Sequence, residues 1–97
     1  MSIVTLNEIK KLVRELVDKK EFPDSESALY HKLLWAFVEL GEATDAFKKG
    51  LDWSIITEEL IDTIFYIFDF ISLVEKTQGI TIDLDKVFMK KSLWIKK

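Results

Sequence analysis

Apolar residues recur along this chain at helical rather than strand spacing, and breaks in the pattern divide it into four segments. Leu6, Ile9, Val13, Leu16 and Val17 form one stripe, which predicts an amphipathic helix. Thr5-x-x-Glu8 reads as a capping box at its start, and the pattern ends near Lys20. Phe22-Pro23-Asp24-Ser25 marks a connection. A second helix is expected from about Glu26 to Lys49, with apolar residues at Leu29, Leu33, Phe37, Leu40 and Phe47 and a stop at Gly50. Asp52 or Ser54 suits the N-cap of a third, which continues to about Gln78 before Gly79. A short fourth follows Asp83, from about Leu84. No period-2 segment, internal repeat or low-complexity stretch is present, so the 97 residues read as one all-α domain.

The third segment is apolar nearly all round between Ile61 and Val74, through Ile64, Phe65, Ile67, Phe68, Phe70, Ile71 and Leu73. Such a helix must be surrounded. A membrane span needs ~20 apolar residues, and Asp62 and Asp69 interrupt this run. A central place in a bundle or dimer is therefore expected, with no membrane. The short connection at Gly50 joins two long helices, which predicts antiparallel packing in a four-helix bundle. At 48% hydrophobic, the chain carries more apolar surface than a thin bundle of this size hides, so a homodimer or homotetramer is expected.

The absence of cysteine removes disulfides, thiolate metal sites and a cysteine nucleophile, so any metal must be held by oxygen. A net charge of −3 argues against nucleic acid as a partner, since its backbone is bound by many Lys and Arg contacts. Charges at Glu8, Lys10, Lys11, Arg14, Glu15 and Asp18 leave no signal-peptide core in the first twenty residues, and a cytoplasmic location is expected.

Glu39-x-x-Glu42 and Glu59-x-x-Asp62 each place two carboxylates on one helical face. Either pair alone is commonplace on a solvated surface. In an antiparallel pair turning at Gly50, however, residues whose numbers total about 101 stand at one level, so Glu42 faces Glu59 and Glu39 faces Asp62. Glu39 shares its side with Ala36, Ala43 and Ala46, and Asp62 with Phe65 and Tyr66. Four acids gathered in a helical interior repel one another and lose hydration at several kcal/mol per ion, about the scale a hard cation offsets. Oxygen-only ligands of this charge suit Mg²⁺ or Mn²⁺. The same register places Trp35 level with Tyr66, flanking the acids, and Lys32 level with Asp69, where the two can pair. Lys49 lies two turns past Glu42, near the end of the second helix, where a lysine also complements the dipole. His31, the single histidine, is about 16 Å from Glu42 along the axis and suits a rim rather than the same metal.

With these residues in place the chain resembles the MazG-like all-α nucleoside triphosphate pyrophosphohydrolases, related to the dimeric dUTPases. Their pattern of Glu-Glu-x-x-Glu followed by Glu-x-x-Asp reads here as Val38-Glu39-Leu40-Gly41-Glu42 and Glu59-Leu60-Ile61-Asp62. The likeness extends over roughly residues 30 to 91, through Lys49-Gly50, Glu58 to Asp62 and Gly79-Ile80. Val38 departs from it, standing where the family usually has its first Glu. The resemblance implies a MazG-like bundle in which Glu39, Glu42, Glu59 and Asp62 bind Mg²⁺ and carry catalysis. It implies hydrolysis of a nucleoside triphosphate to the monophosphate and pyrophosphate, and suggests nucleotide-pool cleaning. Trp35, Tyr66, Lys49 and Asp69 are the candidate substrate contacts. Lys86, Lys90 and Lys91 stand in the tail, where family members carry phosphate-binding Lys, Asn and Arg. A carboxylate-bridged di-iron bundle would need two Glu-x-x-His motifs, which one histidine cannot supply. The alternative from another class is a non-enzymatic helical interaction module with a structural cation site.

Overall fold

Local chemistry marks the start of the first helix and the ends of the second and third in the computed structural model, which describes residues 4–20 and 25–96. Thr5 is the N-cap of α1 (Leu6–Lys19), its hydroxyl accepting from the Glu8 N–H at 3.1 Å, a contact that contributes about 1 kcal/mol to such a helix. The α1–α2 connection around Pro23 lies outside the described residues. The second helix, α2 (Glu26–Lys48), ends where Gly50 takes φ 70°, a left-handed conformation that glycine adopts without a Cβ clash. Gly50 N–H then reaches the Phe47 carbonyl and Leu51 N–H the Ala46 carbonyl, each at 3.1 Å, satisfying carbonyls that the helix end leaves over. Asp52 caps α3 (Trp53–Gln78) by position, with its carboxylate accepting from Ser54 Oγ rather than from the backbone. Gly79, at φ 65°, closes α3, and α4 (Leu84–Lys96) follows. No strand occurs among the described residues, and none of their helices is long and apolar enough to cross a membrane.

The most extensive interface joins α2 to α3, α1 packs on α3, and α4 touches α1. The α2 face that enters this interface is not the expected stripe. Lys32, Ala36, Ala43 and Ala46 are buried, whereas Phe37 is 69% and Phe47 60% exposed, with Leu33 and Leu40 exposed as well. Close approach explains the choice, because Ala36, Ala43 and Ala46 admit a nearby α3 backbone where Phe37 would hold it off. Leu73, fully buried, with Val13 and Val17 of α1, forms the apolar core; each such side chain contributes about 1.5–3 kcal/mol. The outer side of α3 keeps Ile61, Ile64 and Ile67 exposed, so two helices do not surround it as its sequence leads one to expect.

A reciprocal clasp joins the starts of α1 and α4. Asp85 accepts from the N–H groups of Leu6 at 2.9 Å and Asn7 at 3.4 Å, placing a carboxylate where the first turn of α1 has unsatisfied donors. Asn7 Oδ1 in turn accepts from Leu84 N–H at 2.9 Å. Beneath the clasp, Lys10 donates to Glu75 at 2.8 Å and to the Ile82 carbonyl, fixing the segment after α3.

Candidate functional site

The interface between α2 and α3 carries the acids. Glu39, Glu42 and Glu59 each offer a carboxylate oxygen, and the three atoms lie within 4.8 Å of one another. Asp62 is outside that threesome but beside it: it lines a cavity together with Glu39, and its charge acts on Glu39 and Glu59. Glu39 and Glu59 are half-buried, while Glu42 and Asp62 are exposed, so the acids face a groove of the protomer rather than a closed interior.

Burial, then the charge of Glu42 and a hydrogen bond with it, pushes the Glu39 carboxyl up from 4.5 to about 7. Glu59 is raised for the same reasons, burial first and the Glu42 contact next. These carboxyls therefore hold protons more tightly in the folded protein than in the unfolded chain. Folding stability from this source is full below the ordinary value of 4.5 and is lost as the pH rises through about 7. In EDTA, the melting temperature is expected to fall over that interval. Asp83, lowered by Asn7 and Lys86, acts with the opposite sign and only at more acidic pH. Melting curves at stepped pH check this, and a melting temperature that rises between those two pH values would contradict the clustering.

The larger cavity, about 710 Å³, runs from Glu39 and Asp62 past Trp35, Phe65 and Tyr66 to Lys32 and Asp69. Tyr66 senses the acids directly: burial first, then the charges of Glu39 and Asp62, holds its hydroxyl above its usual range. His31 lies at the rim, exposed, edge-on to Tyr30 with ring centres 6.0 Å apart. A second depression of about 400 Å³ is lined by Glu42, Glu59 and Lys49. There Lys49 is already paired with Asp45 at 2.8 Å, both exposed. The lining of the larger cavity includes no residue of α4, and Lys91 instead stands 5.6 Å over the Trp94 ring.

Lys32 and Asp69 pair at 2.6 Å, at the level the helical register assigns them. Asp69 also lies 3.5 Å from the Arg14 guanidinium of α1, a participant that sequence reasoning missed. The available signal was its spacing: Lys10, Val13, Arg14 and Val17 share one side of α1, and a cation on a core-facing side requires a partner. Ser25, Ser27 and Ala28, at the start of α2, also line the cavity and carried no motif.

The chain matches no family model, and no curated protein or solved structure was found to be similar to it.

Proposed function

We propose that this protein is a Mg²⁺-dependent nucleoside triphosphate pyrophosphohydrolase. The observation that carries the reading is the convergence of three glutamate oxygens, one of them from Glu39, which with Asp62 also lines a cavity walled by Trp35, Phe65 and Tyr66. The donor set fits a hard divalent cation, since all the groups are carboxylate oxygens and burial, together with their mutual charge, raises Glu39 and Glu59 when no cation balances them. Glu39, Glu42 and Glu59 would hold it, with Asp62 adjacent. Bound there, Mg²⁺ supplies charge neutralisation for phosphate oxygens and acidifies a coordinated water.

The chain's own groups do the rest. Trp35 and Tyr66 offer ring faces on which a base stacks, at about 1–3 kcal/mol each. The carboxylates would act on the triphosphate end through the cation they hold, and a carboxylate not fully occupied by that cation is suited to accept the proton of the attacking water. Attack falls on the α-phosphorus, giving the monophosphate and pyrophosphate. Turnover in ¹⁸O water is therefore expected to place the label in the monophosphate. Label only in inorganic phosphate would overturn the reaction, and no turnover of any triphosphate with Mg²⁺ or Mn²⁺ would favour a helical interaction module.

The reading includes antiparallel packing of α2 and α3 and assembly into a dimer or a dimer of dimers. Size scaling gives a folded monomer of 11.4 kDa about 5,800 Å² of accessible surface, whereas one protomer exposes 7656 Å². That surplus, about 1,900 Å² for one protomer, is roughly twice the ~800 Å² each partner contributes to a standard interface and is on the scale of an obligate one, and Phe37, Phe47, Ile61, Ile64 and the apolar residues of α4 supply its apolar part. Light scattering at micromolar concentration is expected to report twice or four times the protomer mass, and a monomer of 11.4 kDa would count against it.

A further inference from the structure

At the end of the cavity away from the acids stands a buried cation that phosphate chemistry leaves unused. Lys32 lies seven residues before Glu39 on α2, and Asp69 seven residues after Asp62 on α3. The pair is thus two helical turns, about 10 Å, from the carboxylates. Trp35 and Tyr66 occupy the turn between, so a base stacked there has its sugar toward the acids and its outer edge toward Lys32.

Lys32 is 8% and Asp69 3% exposed, and both line the cavity. The ammonium has three donors, of which one is given to Asp69 Oδ2 at 2.6 Å, its one hydrogen bond among the described residues. Asp69 Oδ1 is turned to Arg14 at 3.5 Å and is fully buried. Oδ1 is thus buried without a hydrogen bond and Oδ2 accepts from Lys32, so what the pair presents to a ligand is the remaining N–H of the ammonium.

Arg14 also pairs with Asp18 at 3.0 Å and does not line the cavity, so Lys32 is the cation of this cluster that does, and two of its N–H groups are not given to Asp69. That favours the oxygen end of a carbonyl dipole. An amino group placed there would set donor against donor, leaving both without an acceptor. We propose that Lys32, held by Asp69, selects nucleotides whose base presents a carbonyl oxygen at its outer edge, as guanine, hypoxanthine, uracil and thymine do. Adenine and cytosine, which present an amino group at the same place, are disfavoured. The inference rests on the nucleotide reading of the site and adds to it the class of base.

Two substrate pairs that differ at this position test it: inosine against adenosine triphosphate, and uridine against cytidine triphosphate, each with Mg²⁺. The oxo member of each pair is expected to have the higher kcat/KM, by on the order of 10- to 100-fold, the range for a hydrogen bond to a charged donor. In Lys32→Gln the amide offers both a donor and an acceptor, so the preference should shrink to about twofold or less while the favoured substrate loses rate. Equal kcat/KM within both pairs in the wild type would overturn the inference and leave the hydrolase reading intact, with no variant needed. Should no triphosphate be hydrolysed, the hydrolase reading fails, and calorimetric binding of inosine and adenosine monophosphates to the wild type still decides the base: equal affinity overturns the selection by Lys32, and tighter binding of inosine monophosphate supports it.

Discussion

Glu59→Gln is expected to melt higher than the wild type in EDTA, to gain less from Mg²⁺, and to lose nearly all turnover. The amide removes one charge from three carboxylates within 4.8 Å at nearly constant volume, relieving the burial of that charge and its repulsion of Glu39, Glu42 and Asp62. On the proposed reading Mg²⁺ would bind the folded cluster and not the unfolded chain, so saturating it is expected to raise the wild-type melting temperature by mass action. With one ligand neutralised the variant binds the ion less well and gains less. Its loss of activity should exceed the ~10- to 100-fold that follows removal of an outer-shell partner of a metal, because Glu59 is placed in the ligand set itself. Stability gained at the expense of activity is characteristic of groups retained for function. Melting curves of both proteins in EDTA and in Mg²⁺ make the measurement. Four superimposable curves would sink the cluster as a cation site.

The largest loss of stability should come from Asp69→Ala. Asp69 is the carboxylate to which both Lys32 and Arg14 turn, and all three side chains are at most 15% exposed. Removing it leaves two cations in a poorly hydrated interior, a change that costs about 3–5 kcal/mol. Against a total of about 5–15 kcal/mol for a domain of this kind, that lowers the melting temperature by roughly 15 °C or more. Asp18→Ala is the control. It removes the other acid that pairs with Arg14, at 3.0 Å, but Asp18 is 45% exposed and such pairs contribute about 1 kcal/mol at most. Denaturant melts of the two variants should differ several-fold in their loss. Equal losses would show that the Asp69 pairing is no more costly to break than a surface contact.

The helices were legible in the sequence because their ends are written in local chemistry. Thr5 with Glu8, Gly50 and Gly79 act within one or two turns of themselves, and each does what its residue type allows. The register of the two long helices was legible for a related reason, since one short turn fixes it, and the Lys32–Asp69 contact stands where that register puts it. The packing face of α2 was not. A hydrophobic stripe states that a face avoids water but not which neighbour covers it, and the alanines that approach α3 score as weakly apolar. The exposure of Glu42 and Asp62 was missed with it, because their surroundings were read as those of a closed interior. The clasp of Asn7 with Asp83 and Asp85 spans most of the chain, and no local pattern announces a polar contact between residues 76 or more positions apart.

That clasp also sets an order of assembly. The α2–α3 unit closes around one short turn and can form from neighbouring sequence, whereas α1 has no helix to rest on until α3 has been made. Even then, the first N–H groups of α1 await the carboxylate of Asp85, 79 positions after Leu6. On a ribosome, the acids and the aromatic walls would thus come together while the start of α1 is still unfinished, and the emergence of α4 would complete it. Nascent chains halted before residue 85 should therefore hold the chemical site in a protomer whose first helix frays.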